Sequence, residues 1–473
     1  MENTLLFEAF ATLRAPELRE FGKFVRSPFF NSRSDLVGLY EYLLQCRETS
    51  ISPVPEQAYT SLARYAANAR KGKTGWNQKL RLANSALLAL LEKYWIYKEK
   101  FEDADRAGIR LIAAYRKRNL EKHFQIALRE ARRGRERLPW RHADYYHDLH
   151  LIDWEQYQFE TSTRRTEILN LQATTDHMDT AFIARKLRLA CLALSHQAVF
   201  KTEYRVGLLD QVLDYVLDTN MEQIPAVGLY FYCYKFLSDP VPDAYFARFR
   251  EMLRTHDALL PPDELRTLYL LAINFGIKKI NESAAGWLQA TLDLYKSALR
   301  RDLLLENGLF SRFAFNNIAA IALRVGELDW AETFVLENKA RLERHWREAT
   351  AGLNLARIAY ARRDYRTALL NLQRSDYKDL INNLIAKTLQ LKIYYETAEY
   401  DLLDSHLASM KNFIRRHTAI GYHRTNYSRI VHYTRQLVDL NHRDAAAVAA
   451  LRQKIEAEEI LTEKEWLLEM LEG

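Results

Sequence analysis

Apolar residues recur along this chain at spacings of three and four, the period that puts them on one face of an α-helix, and no segment alternates convincingly with a period of two. The pattern predicts early helices over about 4–14, 16–26, 34–47, 56–69, 76–100, 105–118, 120–137 and 141–160. A middle group covers about 163–177, 179–199, 205–219, 223–237, 242–257 and 263–280. The last covers about 284–306, 309–325, 328–345, 349–362, 365–374, 378–397, 400–416, 422–441, 443–457 and 460–471. All ten prolines stand at or before Pro262, mostly in loop-like settings such as Pro53 and Pro55, Pro139, Pro240 and Pro242, where they punctuate helices. Their absence afterwards points to back-to-back helices with short connections, because strand-rich domains need frequent turn residues. The expected class is all-α.

Internal repetition is the strongest signal in the last third of the chain. Gly326-Glu327-Leu328-Asp329-Trp330-Ala331 aligns with Arg363-Asp364-Tyr365-Arg366-Thr367-Ala368 and with Ala398-Glu399-Tyr400-Asp401-Leu402-Leu403, at periods of 37 and 35 residues. Before the first of these stand Phe315, Ile318, Ala319 and Ala322; before the second, Gly352, Leu355, Ala356 and Ala359. The third unit, through Lys387, Gln390, Leu391 and Tyr394, departs further, and Leu403 replaces the small residue. These hexapeptides resemble the turn between the two helices of a tetratricopeptide repeat. The resemblance implies an elongated α-solenoid of antiparallel helix hairpins, tetratricopeptide-like in the C-terminal half.

Three further segments, Phe21 to Asn31, Leu187 to Leu209 and Tyr394 to Phe413, make nearly the full length similar to a family of uncharacterised bacterial helical proteins. That resemblance implies fold and cytoplasmic placement and brings no activity. Read physically, Phe21-Gly22-Lys23-Phe24-Val25-Arg26-Ser27 is a helix stopped by Pro28, since the residue before a proline is pushed out of the α region. Phe29 and Phe30 are then expected to anchor the corner, with Asn31 or Ser34 capping the next helix.

Length, composition and repeats suggest three regions: 1–140, a basic helical region; 141–308, middle helical hairpins; and 309–473, tetratricopeptide-like repeats with C-terminal capping helices. The start, Met1 to Glu8, lacks the features of a secretory signal, and the apolar run Val227 to Leu237 is too short to span a bilayer, so a cytoplasmic protein without membrane contact is expected. Cys46, Cys191 and Cys233 lack paired spacing, which fits a reducing compartment and neither zinc nor a disulfide framework.

Candidate chemistry is thin. Lys71-Gly72-Lys73-Thr74-Gly75 ends like a phosphate-binding loop, but the glycine required at position 67 is Ala67 and no strand precedes it. His142, His147 and His150 lie among Asp144, Asp148 and Asp153, and helical spacing could aim Asp144, His147 and His150 along one face. Without a His-Glu-x-x-His motif or partner cysteines, no metal and no cofactor is assigned. Ser195 and His196 are adjacent and point in different directions on a helix, so no nucleophile–base pair follows.

Charge is unevenly spread: residues 61–142 hold 21 Lys and Arg against 8 Asp and Glu, a local +13 within a net +7. The densest part is Arg116, Lys117, Arg118, Lys122, Arg129, Arg132, Arg133, Arg135, Arg137 and Arg141. Such a patch serves either a nucleic-acid contact or a pairing with the acidic tail from Glu456 to Glu472. A helix–turn–helix over 56–69 and 76–97 is disfavoured by its long connection.

Stacked hairpins line a concave surface with the first helix of each pair. By the repeat register, Asn316, Asn317, Arg324, Asn354, Arg357 and Lys392 face or border that groove, offering amides to a peptide backbone and cations to an acidic partner. Carboxylate-clamping tetratricopeptide domains are echoed only by Asn354, because Ile385 and Leu389 stand where basic residues would hold a terminal carboxylate. The functional expectation is a noncatalytic protein-interaction scaffold. The alternatives are a nucleic-acid-associated regulator using the 61–142 region and an enzyme with an unrecognised helical active site.

Overall fold

The computed structural model describes residues 4–65, 76–101, 104–163, 168–200, 202–282, 284, 286–373, 379–417 and 423–472. Among them lie twenty-three α-helices and one pair of two-residue strands. None of these helices is long and apolar enough to cross a membrane. The Lys71–Gly75 string lies outside the described residues. Contacts divide the chain into two compact units, Met1–Leu187 with Asp210–Val227, and Arg188–Leu209 with Gly228–Gly473.

In the first unit, the helix Ala15–Arg26 begins where the Arg14 backbone N–H donates to the Glu17 carboxylate, 2.8 Å away, and ends at Ser27, ahead of Pro28. Its buried Leu18, Phe21, Phe24 and Val25 meet the stripe Leu80, Leu87, Leu91 and Tyr94 of the helix Trp76–Phe101. The corner after it differs from expectation. Phe30 stacks on Phe24 with ring centres 3.9 Å apart, but Phe29 is 88% exposed and, among the described residues, meets only the Phe30 ring, edge-on at 5.0 Å. Asn31 locks the corner by donating to the carbonyls of Val25 and Arg33, while Arg33, without a capping side-chain bond, precedes the helix Ser34–Glu48.

Two predicted helices, 163–177 and 179–199, give one, Leu171–Phe200. The polar cluster near Thr174 does not interrupt it, because the hydroxyls of Thr174 and Thr180 bond back to the carbonyls of Asn170 and Asp176, one turn earlier.

In the second unit, Gly276 lets the helices Pro262–Asn281 and Trp287–Leu299 approach closely: a Cβ there would lie 2.2 Å from the Thr291 hydroxyl. The predicted helices 284–306 and 309–325 shorten to Trp287–Leu299 and Arg312–Val325 because a hairpin intervenes. Leu305 pairs with Phe310 and Glu306 with Leu309 across Asn307-Gly308, whose φ values of 51° and 80° make a type I′ turn.

The helices Arg312–Val325 and Leu328–Asn338, Arg347–Ala361 and Tyr365–Gln373, and Leu380–Glu396 and Tyr400–Arg416 form three successive hairpins. Each first helix touches its own second helix, and Arg347–Ala361 also touches the first helices of the hairpins before and after it. The aligned positions Gly326, Arg363 and Ala398 all take the left-handed conformation, with φ of 88°, 61° and 56°. In each turn the following N–H, of Glu327, Asp364 or Glu399, donates five residues back to the carbonyl of Ala322, Ala359 or Tyr394. This closes the helix end in the same way three times. Ala322, Ala331, Ala356 and Ala368 are fully buried where helix backbones come together.

Candidate functional site

Four arginines of the basic region, Arg106, Arg116, Arg132 and Arg135, pair with carboxylates of one helix, Ala143–Thr163. Asp144 receives Arg185 at 2.6 Å and Arg106 at 3.5 Å, and Asp148 receives Arg135 at 2.8 Å. Asp153 binds Arg132 at 2.6 Å and His177 at 2.7 Å, while Glu155 binds Arg116 at 2.6 Å. Burial opposes the charge on Asp153, yet hydrogen bonds from His177 and Arg132 hold it below the ordinary carboxylate value. On Asp148 burial wins over Arg135 and Arg106, and its pKa is raised.

Of the ten predicted basic-patch residues, Arg116, Arg132 and Arg135 therefore pair with carboxylates of this helix, and of these three only Arg135 is buried. Arg141 donates to the carbonyls of Trp140 and Glu136 and lies over the Tyr145 ring, and Arg133 sits 3.5 Å from Glu130. Lys117, Arg118, Lys122, Arg129 and Arg137 are exposed. Within the acidic tail, Glu458, Glu463 and Glu472 pair with Arg429, Lys392 and Arg452.

The histidine cluster is taken up the same way. His150 bonds the Thr174 carbonyl, and burial together with the Arg185 charge pushes the His147 pKa below its ordinary 6.5. No group of three metal-ligating side chains occurs among the described residues. Arg106, Arg110, Asp144, His147, Asp148 and Arg185 line a cleft of about 440 Å³. Asp144 pairs with Arg106 and Arg185 there, Arg110 donates to the Lys100 carbonyl, and no serine, threonine or cysteine lines the cleft.

Among the six predicted groove residues, Asn354 is fully buried. Its Nδ2 donates to Asn316 Oδ1 at 2.7 Å and to the Thr350 carbonyl at 2.9 Å, tying the helix Arg347–Ala361 to the helix Arg312–Val325. It is an interior connector and presents no amide to a ligand. Asn317 is exposed and hydrogen-bonds Tyr295, Arg324 is exposed at the end of its helix, and Arg357 is half-buried. Leu389 is buried and Ile385 packs against the core, so neither clamp position carries a cation.

Lys392 is where the polar chemistry concentrates. Its side chain is 12% exposed, its Nζ stands 2.7 Å from the Glu463 carboxylate, and it lies over the rings of Tyr360 at 4.8 Å and Trp466 at 5.6 Å. One turn on, Glu396 accepts hydrogen bonds from the hydroxyls of Tyr360 and Tyr365 and, at 2.7 Å, from Trp466 Nε1. Burial and this carboxylate push the Tyr360 phenol up, and they push Tyr365 to about 12. Tyr360, Tyr365, Lys392 and Glu396 thus form a cradle on two successive hairpins, with a cation, an anion and two rings converging on one place. Periodicity found only Lys392. The available signal for the rest was Trp466, which stands alone among the tryptophans in an acidic tail.

Comparison with protein-family models, curated proteins and solved structures finds no match for this chain.

Proposed function

We propose that this chain is a noncatalytic protein-interaction scaffold, a tetratricopeptide-like solenoid over residues 312–416 whose first helices bind a peptide or protein partner. Kinship with the bacterial helical family it resembles, and a cytoplasmic setting for its three free, buried cysteines, belong to the same proposal. The observation that carries it is the cradle of Tyr360, Tyr365, Lys392 and Glu396 on adjoining hairpins that share turn geometry and register. A cation over aromatic rings and a carboxylate that accepts several hydrogen bonds are chemistry suited to holding a segment of chain. The test is cross-linking mass spectrometry to recover a partner, followed by its affinity for Arg357→Glu and Lys392→Glu chains. Unchanged affinity in both refutes the groove.

A second reading has one observation in its favour. Lys117, Arg118, Lys122, Arg129 and Arg137 remain exposed, with no carboxylate partner among the described residues. Five cations support at most a salt slope of about −4 to −5 for duplex DNA. Salt-independent binding, or none, to mixed oligonucleotides removes a nucleic-acid role.

A further inference from the structure

The cradle is covered by a later segment of the same chain. Glu463 stands just before the short helix Lys464–Glu469 and Trp466 lies within it, and both side chains reach the helix Leu380–Glu396. The first meets Lys392 and the second meets Glu396 and the edge of Tyr395, ring centres 5.5 Å apart. Leu467 and Leu471 are buried in the same hydrophobic cluster as Leu384, Leu391 and Leu437.

We propose that the segment Glu463–Leu471 is a resident pseudo-ligand, and that the scaffold's partner is a short acidic-aromatic helix of the kind Glu-x-x-Trp-Leu that exchanges with it. This rests on reading the hairpins as a peptide-binding stack.

Three features set this segment apart from the helices it covers. Its helix, Lys464–Glu469, has six residues, too few to hold a helical conformation without its contacts. It is entered through Glu463 at φ 55°, a left-handed conformation costly for a residue with a side chain, and Glu463 is the residue that makes the ion pair. The side-chain contacts of Glu463 and Trp466 run to Lys392 and Glu396, which the helix Leu380–Glu396 of a complete hairpin carries, whereas Lys464 bonds only the tail's own carbonyls of Glu456 and Glu458. The burial of Trp466, Leu467 and Leu471 sets the partner's chemistry. Release without replacement would expose these side chains, so the segment leaves in exchange for a helix that supplies an equivalent carboxylate, indole and leucine.

The experiment uses the full chain and a fluorescent synthetic peptide of residues 459–472. Glu463→Lys in the chain weakens the resident contact, and the peptide is expected to bind this variant about tenfold more tightly than the wild type, the scale of one charge-assisted hydrogen bond. Adding Lys392→Glu removes that binding, and a peptide carrying Glu463→Lys restores it. Circular dichroism monitors folding of each variant. Hydrogen exchange on the wild type gives a measurement independent of any substitution: amides of 464–471 are expected to exchange faster than those of Leu380–Glu396. Equal protection of the two segments, or no peptide binding to a folded Glu463→Lys chain, overturns the inference. If that happens while a recovered partner still responds to Arg357→Glu and Lys392→Glu, the groove stands and only the resident ligand falls. Peptide binding that survives Lys392→Glu and cross-links outside the helices Arg347–Ala361 and Leu380–Glu396 overturns both.

Discussion

Replacing Arg135 by methionine separates a structural arginine from a surface cation. Arg135 Nη1 lies 2.8 Å from Asp148 Oδ2, and the two side chains are 8% and 2% exposed, so removing the guanidinium leaves a carboxylate buried without its main partner. Losing one member of a buried pair costs about 3–5 kcal/mol. Arg106 remains 3.8 Å from the other carboxylate oxygen but is half exposed, which places the expected loss near the lower end, about 3 kcal/mol. Adding Asp148→Leu removes the stranded charge, and the double variant should return to within about 1 kcal/mol of the wild type. The pH dependence has a definite sign. Burial raises the Asp148 pKa above its ordinary 3.8, so the folded state holds this proton more tightly than the unfolded state. Removing Arg135 raises it further. The deficit is therefore fully present well above the folded pKa and shrinks as the pH falls through it toward 3.8. Urea unfolding of the wild type, both single variants and the double variant, at neutral and acidic pH, measures each quantity. A loss below about 0.5 kcal/mol, or one that grows on acidification, would show that Arg135 behaves as an exposed cation and that the helix contact is not formed.

Gly276→Ala forces a Cβ against the Thr291 hydroxyl and should cost about 1–3 kcal/mol; Thr291→Ala in the same chain should recover part of it, and strict additivity in urea unfolding would refute the close approach. Asn354→Leu removes the donor to Asn316 and Thr350 and should destabilise by about 1–3 kcal/mol, whereas a groove-facing asparagine would leave stability unchanged and lower only partner affinity. Tyr94, Tyr295 and Tyr365 are pushed from the ordinary 10.0 to about 12, chiefly by burial, so the stability they contribute is complete below pH 10 and is lost as the pH rises toward 12. In a spectrophotometric titration they should ionise after the exposed phenols and together with loss of helical circular dichroism; one transition near pH 10 with helicity intact would contradict their environments.

Helix positions were legible because the period of three and four records which face each helix buries, and Leu80, Leu87, Leu91 and Tyr94 need no knowledge of what covers them. Helix ends were legible where one residue decides them, as at Pro28. Two features escaped. Asn307-Gly308 is a strong hairpin signal, but the strands are two residues long and leave no alternation to count. The continuity of Leu171–Phe200 depends on hydroxyls folding back on their own helix, which composition does not distinguish from a break. At the candidate site, repeat register assigned Lys392 to a helix face, but its partner Glu463 lies 71 residues on. Register likewise could not say that Asn354 faces a neighbouring helix instead of solvent, since the same position serves either role.

The chain spends charged side chains in two ways that look alike locally and differ in what can replace them. Asp144, Asp148, Asp153 and Glu155 are paired with arginines and a histidine carried by three helices of thirteen or more residues, Ala104–Arg116, Glu121–Arg137 and Leu171–Phe200, so exchanging those partners would mean displacing whole helices. Glu396 and Lys392 are satisfied from one side by equally well-held tyrosines and from the other by a six-residue helix entered through a left-handed glutamate. A ligand that supplies one carboxylate, one indole and two leucines replaces everything the second partner contributes and leaves the hairpins as they are. Of the two networks, only the one at Glu396 and Lys392 therefore has a partner that can be exchanged without unfolding the element that recognises it.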